Sequence, residues 1–159
     1  MRWLRYWGPV VIWAAIISIA STGSFTSEKT AGHILPILRW LLRHASRVTL
    51  EEIHHFIRKG GHVFEYFIFT MLLFYAIRAG RAGWRASWAW ITLVCVASYA
   101  GLDEFHQSFV PGRGASVWDT LLDTSAGALA LIVIWVWWRR KKPREWPSPG
   151  EQNYAARSR

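Results

Sequence analysis

Four stretches of the chain carry almost no charge, and each is about as long as a bilayer is thick. Between Arg5 and Glu28 every residue is uncharged, and Tyr6 to Ser21 is strongly apolar. Between Lys59 and Arg78 only Glu65 interrupts, between Arg85 and Asp103 nothing does, and between Asp119 and Arg139 only Asp123 does. A hydrocarbon core takes roughly 20 apolar residues as a helix, within a range of about 17 to 25. The pattern predicts an all-α, integral membrane bundle of four transmembrane helices, at about 5–22, 59–78, 86–103 and 119–138.

Composition agrees. A chain of 159 residues is the length of one domain, it is 52% hydrophobic, and it holds 12 Trp. The single cysteine, Cys95, sits in an apolar run and forms no internal disulfide, so it carries no information on redox compartment.

The charged loops give direction. Arg2 and Arg5 precede the first run, Arg78, Arg81 and Arg85 fill the short loop "RAGRAGWR", and Arg139, Arg140, Lys141 and Lys142 follow the last run. Loops rich in Lys and Arg face the cytoplasm. The loop from Asp103 to Asp119 sets three acids against Arg113 and belongs outside, as does the long first loop. Both termini are therefore expected inside. The net charge of +9 is concentrated in the tail, where seven Lys/Arg from Arg139 onward face only Glu145 and Glu151. Such a tail directly after an apolar run suits anionic lipid, and with no recognition motif beside it nucleic acid is not an expected partner. The expected organisation is a membrane domain over 1–138 and a polybasic, disordered cytoplasmic tail over 139–159. Arg2, Arg5 and "SIA" before Ser21 also resemble a signal peptide, but the length of the run and Trp3, Trp7 and Trp13 suit a retained helix.

The first outer loop contains "ILPILRWLLRHASRV", with Arg39, Arg43 and Arg47 four apart. This spacing predicts an amphipathic surface helix with a cationic stripe, Pro36 marking its first turn or a kink. "TLEE" then offers a capping box, Thr49 as cap and Glu52 three residues on, for a helix running into the second span. Gly60 and Gly61 either weaken that helix or admit a neighbouring backbone.

Into that span the chain carries "IRKGGHVFEYFIF". At about 100° per residue, Glu52, His55, Lys59, His62 and Tyr66 fall on one face, with Glu65 beside them. Interhelical glue usually needs a single polar residue, so this stripe exceeds what packing requires. Partners come from "SYAGLDEFHQSFVPGRGASVWDTLLDTSAGALAL". If the third helix continues through Gln107, then Asp103, His106 and Gln107 share a face with Tyr99, and Glu104 points about 100° away. Ser116 reads as an N-cap with Asp119 in the acidic position of a capping box. Asp119 and Asp123 line one face of the fourth helix, continued by Gly127, which permits close helix approach.

Each residue has a bland reading: Asp119 complements a helix dipole, Arg113 is a solvated loop charge, Lys59 snorkels to water. Together they place His62, Lys59 and Glu65 opposite Asp103, Glu104, His106, Arg113, Asp119 and Asp123, all at the outer leaflet. Lys59 and Arg113 are suited to holding a phosphate or carboxylate. His62 or His106 is the candidate general base, with Asp103 orienting it. There is no H-E-x-x-H, no standard metal-ligand spacing in "DEFHQ", no G-x-S-x-G and no phosphate-binding glycine loop, so neither metal nor cofactor is specified.

These residues also carry a family resemblance. "RKGGHVFEY" before a membrane helix, then "DEFHQSFVPGRGASVWDTLLDTSAG", resembles the VanZ-like family of small bacterial membrane proteins. Lys59, His62 and Tyr66 match the first part of the family pattern, and Asp103, Glu104, Gln107, Phe109, Arg113, Asp119 and Gly127 match the second. The opening "SIASTGSFTSEKTA" is similar to the family's first-helix exit, so the likeness runs over roughly residues 7 to 136. Where many members have Asn, this chain has Asp123. The resemblance implies a multi-pass protein of the bacterial inner or plasma membrane. Founding members are linked to resistance to teicoplanin-type glycopeptide antibiotics; the resemblance supplies no reaction.

The sequence thus points to a polar site opening to the outer face. The expected ligand is an anionic envelope lipid or a lipid-linked cell-wall precursor, bound or modified there. Lys59 and Arg113 would hold the anion, His62 and Asp103 would form the acid–base pair, and Glu104, Asp119 and Asp123 would support them, with Glu65, Tyr66, His106 and Gln107 lining the site. The rival is an accessory membrane protein whose polar cluster is interhelical packing. A transporter fits less well, because acids near one surface make no path across.

Overall fold

The computed structural model describes residues 2–22, 27–110 and 116–140. Over these the chain is all-α, with five helices and no strand: α1 (Arg2–Ala20), α2 (Ser27–Leu41), α3 (Arg47–Arg78), α4 (Ala86–Gln107) and α5 (Val117–Arg140). Arg113, with the rest of 111–115, and the tail over 141–159 lie outside the described residues.

Helices α1, α3 and α5 are long and apolar enough to cross a membrane. Among the described residues α4 does not join them, although it is 22 residues long. Its Ser87, Trp88, Trp90, Ser98 and Tyr99 lower its mean hydropathy, and Asp103 and Glu104 close its last turn. Of the four expected transmembrane helices, three are thus met by length and hydropathy among the described residues. The packing still gives α4 a fixed place. Lys59 meets Asp119 at one end of the bundle, and Arg78 lies over Trp138 at the other, so α3 and α5 run in the same direction. Helix α4 makes the return between them, with Glu104 beside Ser116 at one end and Trp88 clustered with Phe74 and Leu131 at the other. Helix α1 also runs antiparallel to α3, with Tyr6 against Tyr75 and the Trp13 indole donating to the Glu65 carbonyl at 2.9 Å.

The bundle is apolar outside and small or polar inside. Ile12, Ile19, Phe64, Trp90, Val94, Leu129 and Ile132 are all more than half exposed, a belt that water would not tolerate and lipid would. Ala100, Ala126, Ala130, Thr70, Thr92 and Val96 are buried, and such small residues let membrane helices approach closely. Gly127 marks the tightest crossing. A Cβ there would stand 2.9 Å from Thr70 Oγ1 and 3.0 Å from Val96 Cγ1. Gly60 and Gly61, by contrast, face open space, so no backbone packs against them.

Two local expectations are corrected. The cap of α3 is Ser46, whose hydroxyl accepts the Thr49 N–H at 3.1 Å, so the helix begins three residues before the expected Thr49 cap. A serine three residues before an N–H is itself a good cap, and Thr49 is left inside the first turn. The expected arginine stripe is also divided. Helix α2 contains Pro36, ends at Leu41, and keeps only Arg39; Arg43 falls in the turn and Arg47 opens α3. Helix α2 packs on the start of α3 through buried Leu38 and Leu50, with Thr30 Oγ1 3.3 Å from His54 Nε2. At about 1.5 Å per residue the 32 residues of α3 extend about 48 Å, well beyond a hydrocarbon core of about 30 Å. The helix is thus about three turns longer than a crossing needs.

Candidate functional site

At the acidic end of the bundle, α3, α4 and α5 converge on one polar cluster. The α3 stripe enters it only from Lys59 downward. Glu52 and His55 are exposed, because α5 begins level with Lys59 and above it α3 packs on α2 through a different face, that of Leu50 and His54. From Lys59 the side chain reaches across to Asp119, Nζ to Oδ1 2.8 Å, with both groups partly exposed. One turn further in, His62 Nδ1 stands 3.9 Å from Glu65 Oε2, too long for a hydrogen bond but close enough for attraction once the ring is protonated. Below them Tyr66 is fully buried.

Helix α4 presents Asp103, Glu104 and Gln107, all buried. The Gln107 amide donates to Asp103 Oδ2 at 2.8 Å. Glu104 Oε2 accepts the backbone N–H of Ser116 at 2.7 Å, tying the end of α4 to the residue before α5. His106, expected on the Asp103 face, is exposed, and Glu104, expected to point away, is buried instead. The neighbour approaches α4 on the Glu104 side of Asp103, so the arc that turns inward is 103–104–107. Tyr99 faces α1, donating to the Ala14 carbonyl at 2.7 Å.

Asp123 is the centre of the arrangement. It is 2% exposed, one turn below Asp119, and the carboxylates of Asp103, Glu104, Asp119 and Glu65 all act on it electrostatically. Asp123 Oδ1 and the Tyr66 hydroxyl are buried without a hydrogen-bond partner among the described residues. Leaving a buried polar atom unmade costs about 1–3 kcal/mol, and native structures hold few of them. Thr70 closes the floor, its hydroxyl turned back to the Tyr66 carbonyl at 2.7 Å. Neither Thr70 nor Trp13 was singled out from the sequence as part of the site. A Trp in the middle of an apolar helix, with one N–H to satisfy, was the available signal for the second.

The site is therefore acidic: it gathers five carboxyl side chains and one ammonium, Lys59 on Asp119, within the described residues, and Arg113 lies outside them. Among the described residues no group of three or more His, Cys, Asp or Glu side chains is arranged to hold a metal ion.

The VanZ/LLP1 family model matches residues 6–139, which takes in α2, α3 and α4, nearly all of α1 and α5, and the whole cluster. The chain belongs to the VanZ/LLP1 family. No curated protein and no solved structure matches the chain. The VanZ/LLP1 match covers every helix that supplies the cluster, so the family pattern and the three-helix junction coincide. In this VanZ/LLP1 member Asp123 occupies the buried centre of the site.

Proposed function

We propose that this VanZ/LLP1 protein binds, and in the enzymatic version of the reading modifies, the headgroup of an envelope lipid or lipid-linked cell-wall precursor at the outer face of the bacterial plasma membrane. The bundle crosses four times with both termini inside. The parallel run of α3 and α5 supports this, since two parallel spans need a return and α4 makes it. The observation that carries the binding reading is the pair of buried, unpartnered polar atoms, Asp123 Oδ1 and the Tyr66 hydroxyl, beneath the Lys59–Asp119 pair. Strain of this kind concentrates where a protein meets a ligand.

The charge of the cluster shapes the ligand. An anionic headgroup would set its phosphate toward Lys59 and Arg113, sharing Lys59 with Asp119, while its hydroxyl or amino donors reach the carboxylates. For chemistry, His62 is the candidate base, with Glu65 as its nearest acidic neighbour; Asp103 is already engaged by Gln107. An altered response to teicoplanin-type antibiotics is the phenotype this reading predicts, because those drugs meet the same surface.

A second reading has its own observation. Asp103 with Gln107, Glu104 with Ser116 and Lys59 with Asp119 are each internally paired, as an accessory protein packed by polar contacts would require. Thermal stability in detergent separates the two. Wild type, His62→Ala, Asp103→Asn and Arg113→Gln are melted with and without an extract of bacterial envelope lipids. A ligand site gives variants that melt at or above wild type, and only wild type gains from the extract. If each variant loses about 3–5 kcal/mol, as when one partner of a buried pair is removed, and the extract discriminates nothing, the packing reading stands.

A further inference from the structure

The opposite end of the bundle carries a second polar feature, independent of the acidic cluster. Arg78, the last residue of α3, turns its guanidinium over the ring of Trp138 on α5, 4.9 Å from the centroid. Its Nε is buried and has no hydrogen-bond partner among the described residues. The described acids, from Glu51 to Asp123, all belong to the other half of the molecule, so none reaches it.

From Arg78 a groove of about 590 Å³ runs between α3 and α5 along the lipid-facing surface, within the roughly 300–1,000 Å³ of small-molecule sites. Its walls are apolar, with Met71, Tyr75, Val133 and Trp137 among them. All four are more than a third exposed. The flanks are basic: Arg81 and Arg85 lie over Trp88, and Arg139 lies over Trp135.

We infer that this groove is a binding site for an anionic phospholipid, its acyl chain along Met71 and Val133 and its phosphate on Arg78. The occupant must combine an apolar tail with an anionic head, because the groove is apolar and ends on a cation with a buried, unused donor. Arginine supplies the planar fork that phosphate recognition uses. Basic pockets between membrane helices on the cytoplasmic side bind acidic headgroups in the same way. The surrounding arginines add attraction, and Trp137 and Trp138 sit at the interfacial depth where headgroups lie.

Native mass spectrometry of the full chain from detergent tests this, with phosphatidylglycerol and phosphatidylcholine of identical acyl chains as probes. Wild type should retain phosphatidylglycerol in preference, and Arg78→Gln should cut that preference about fivefold. Val133→Trp, which fills the groove without touching Arg78, should lose bound lipid while keeping the helical circular dichroism of wild type. Should Arg78→Gln fail to fold, Arg78→Lys takes its place: the charge remains and the fork is lost, so the preference should fall partway. Equal retention of the two lipids overturns the proposal. So does a preference that survives Arg78→Gln, or a dimer that Val133→Trp dissolves, which would put a second copy in the groove. None of these outcomes depends on the acidic site, whose variants act at the other end.

Discussion

The ammonium of Lys59 and the carboxylate of Asp119 meet at 2.8 Å across α3 and α5, with both side chains still more than a third exposed. That exposure decides what the contact is worth. Partly solvated ion pairs contribute about 0.2–1 kcal/mol. Asp119→Asn and Lys59→Gln should each cost less than about 1 kcal/mol of stability by denaturant unfolding in micelles. A loss of several kcal/mol would mean that the pair is sealed from water, and the site would then not be open at this end.

Asp123 stands in the opposite condition. It is buried, four other carboxylates act on it, and one of its oxygens has no partner among the described residues. Replacing it by the isosteric Asn removes the buried acid and supplies two donors. Asp123→Asn should melt at or above wild type, with a gain of about 0.5–2 kcal/mol. Any destabilisation beyond about 1 kcal/mol would show the carboxylate to be a structural acceptor.

Two glycines provide a matched pair. A methyl on Gly127 would collide with Thr70 Oγ1, held by its bond to the Tyr66 carbonyl, and with Val96. Gly127→Ala should therefore cost about 1–3 kcal/mol as α5 is pushed off its neighbours. On Gly60 the same methyl meets nothing within 4 Å, so Gly60→Ala should be neutral or stabilising by up to about 1 kcal/mol through helix propensity. Equal melting temperatures for the two variants would contradict the packing described.

The proposed topology is open to direct labelling. In a Cys95→Ala background, a cysteine at exposed Ser108 should react with an impermeant maleimide on intact cells. One at exposed Ala82 should react only after the membrane is opened. Reaction of both from outside would remove the four-crossing arrangement, and a Ser108 cysteine that reacts only after the membrane is opened would remove the outer-face site.

Much of this was legible because uncharged runs of bilayer length have few alternatives. Helices α1, α3 and α5 lie close to where the charges bracket them. Helix ends were less legible. Ser46 and Thr49 are both good caps, and only the fold of α2 onto α3 decides between them. The stripe Arg39, Arg43 and Arg47 has helical spacing, yet the helix ends at Leu41 and the spacing is coincidental. Within the site, Lys59, Glu65, Tyr66, Asp119 and Asp123 gather as their spacing suggests. His106 and Glu104 exchange places, because helical spacing gives angles between residues but not which arc a neighbour will cover. The bond from Glu104 to the Ser116 N–H could not be read at all, since backbone donors leave no trace in a sequence.

The separation of charge along the bundle has an electrical consequence. Every described carboxylate lies toward one end, offset in part by Arg39, Arg43, Arg47, Arg58 and Lys59, while Arg78, Arg81, Arg85, Arg139 and Arg140 stand at the other with no described acid beside them, so the folded protein is a dipole along the bundle axis. In the orientation proposed here its positive end faces a cytoplasm held at negative voltage. Turning it over would carry each charge against the field, at about 2.3 kcal/mol per charge for every 100 mV. The energised membrane of a living cell is thus itself a restraint on how this molecule stands, one that purification abolishes.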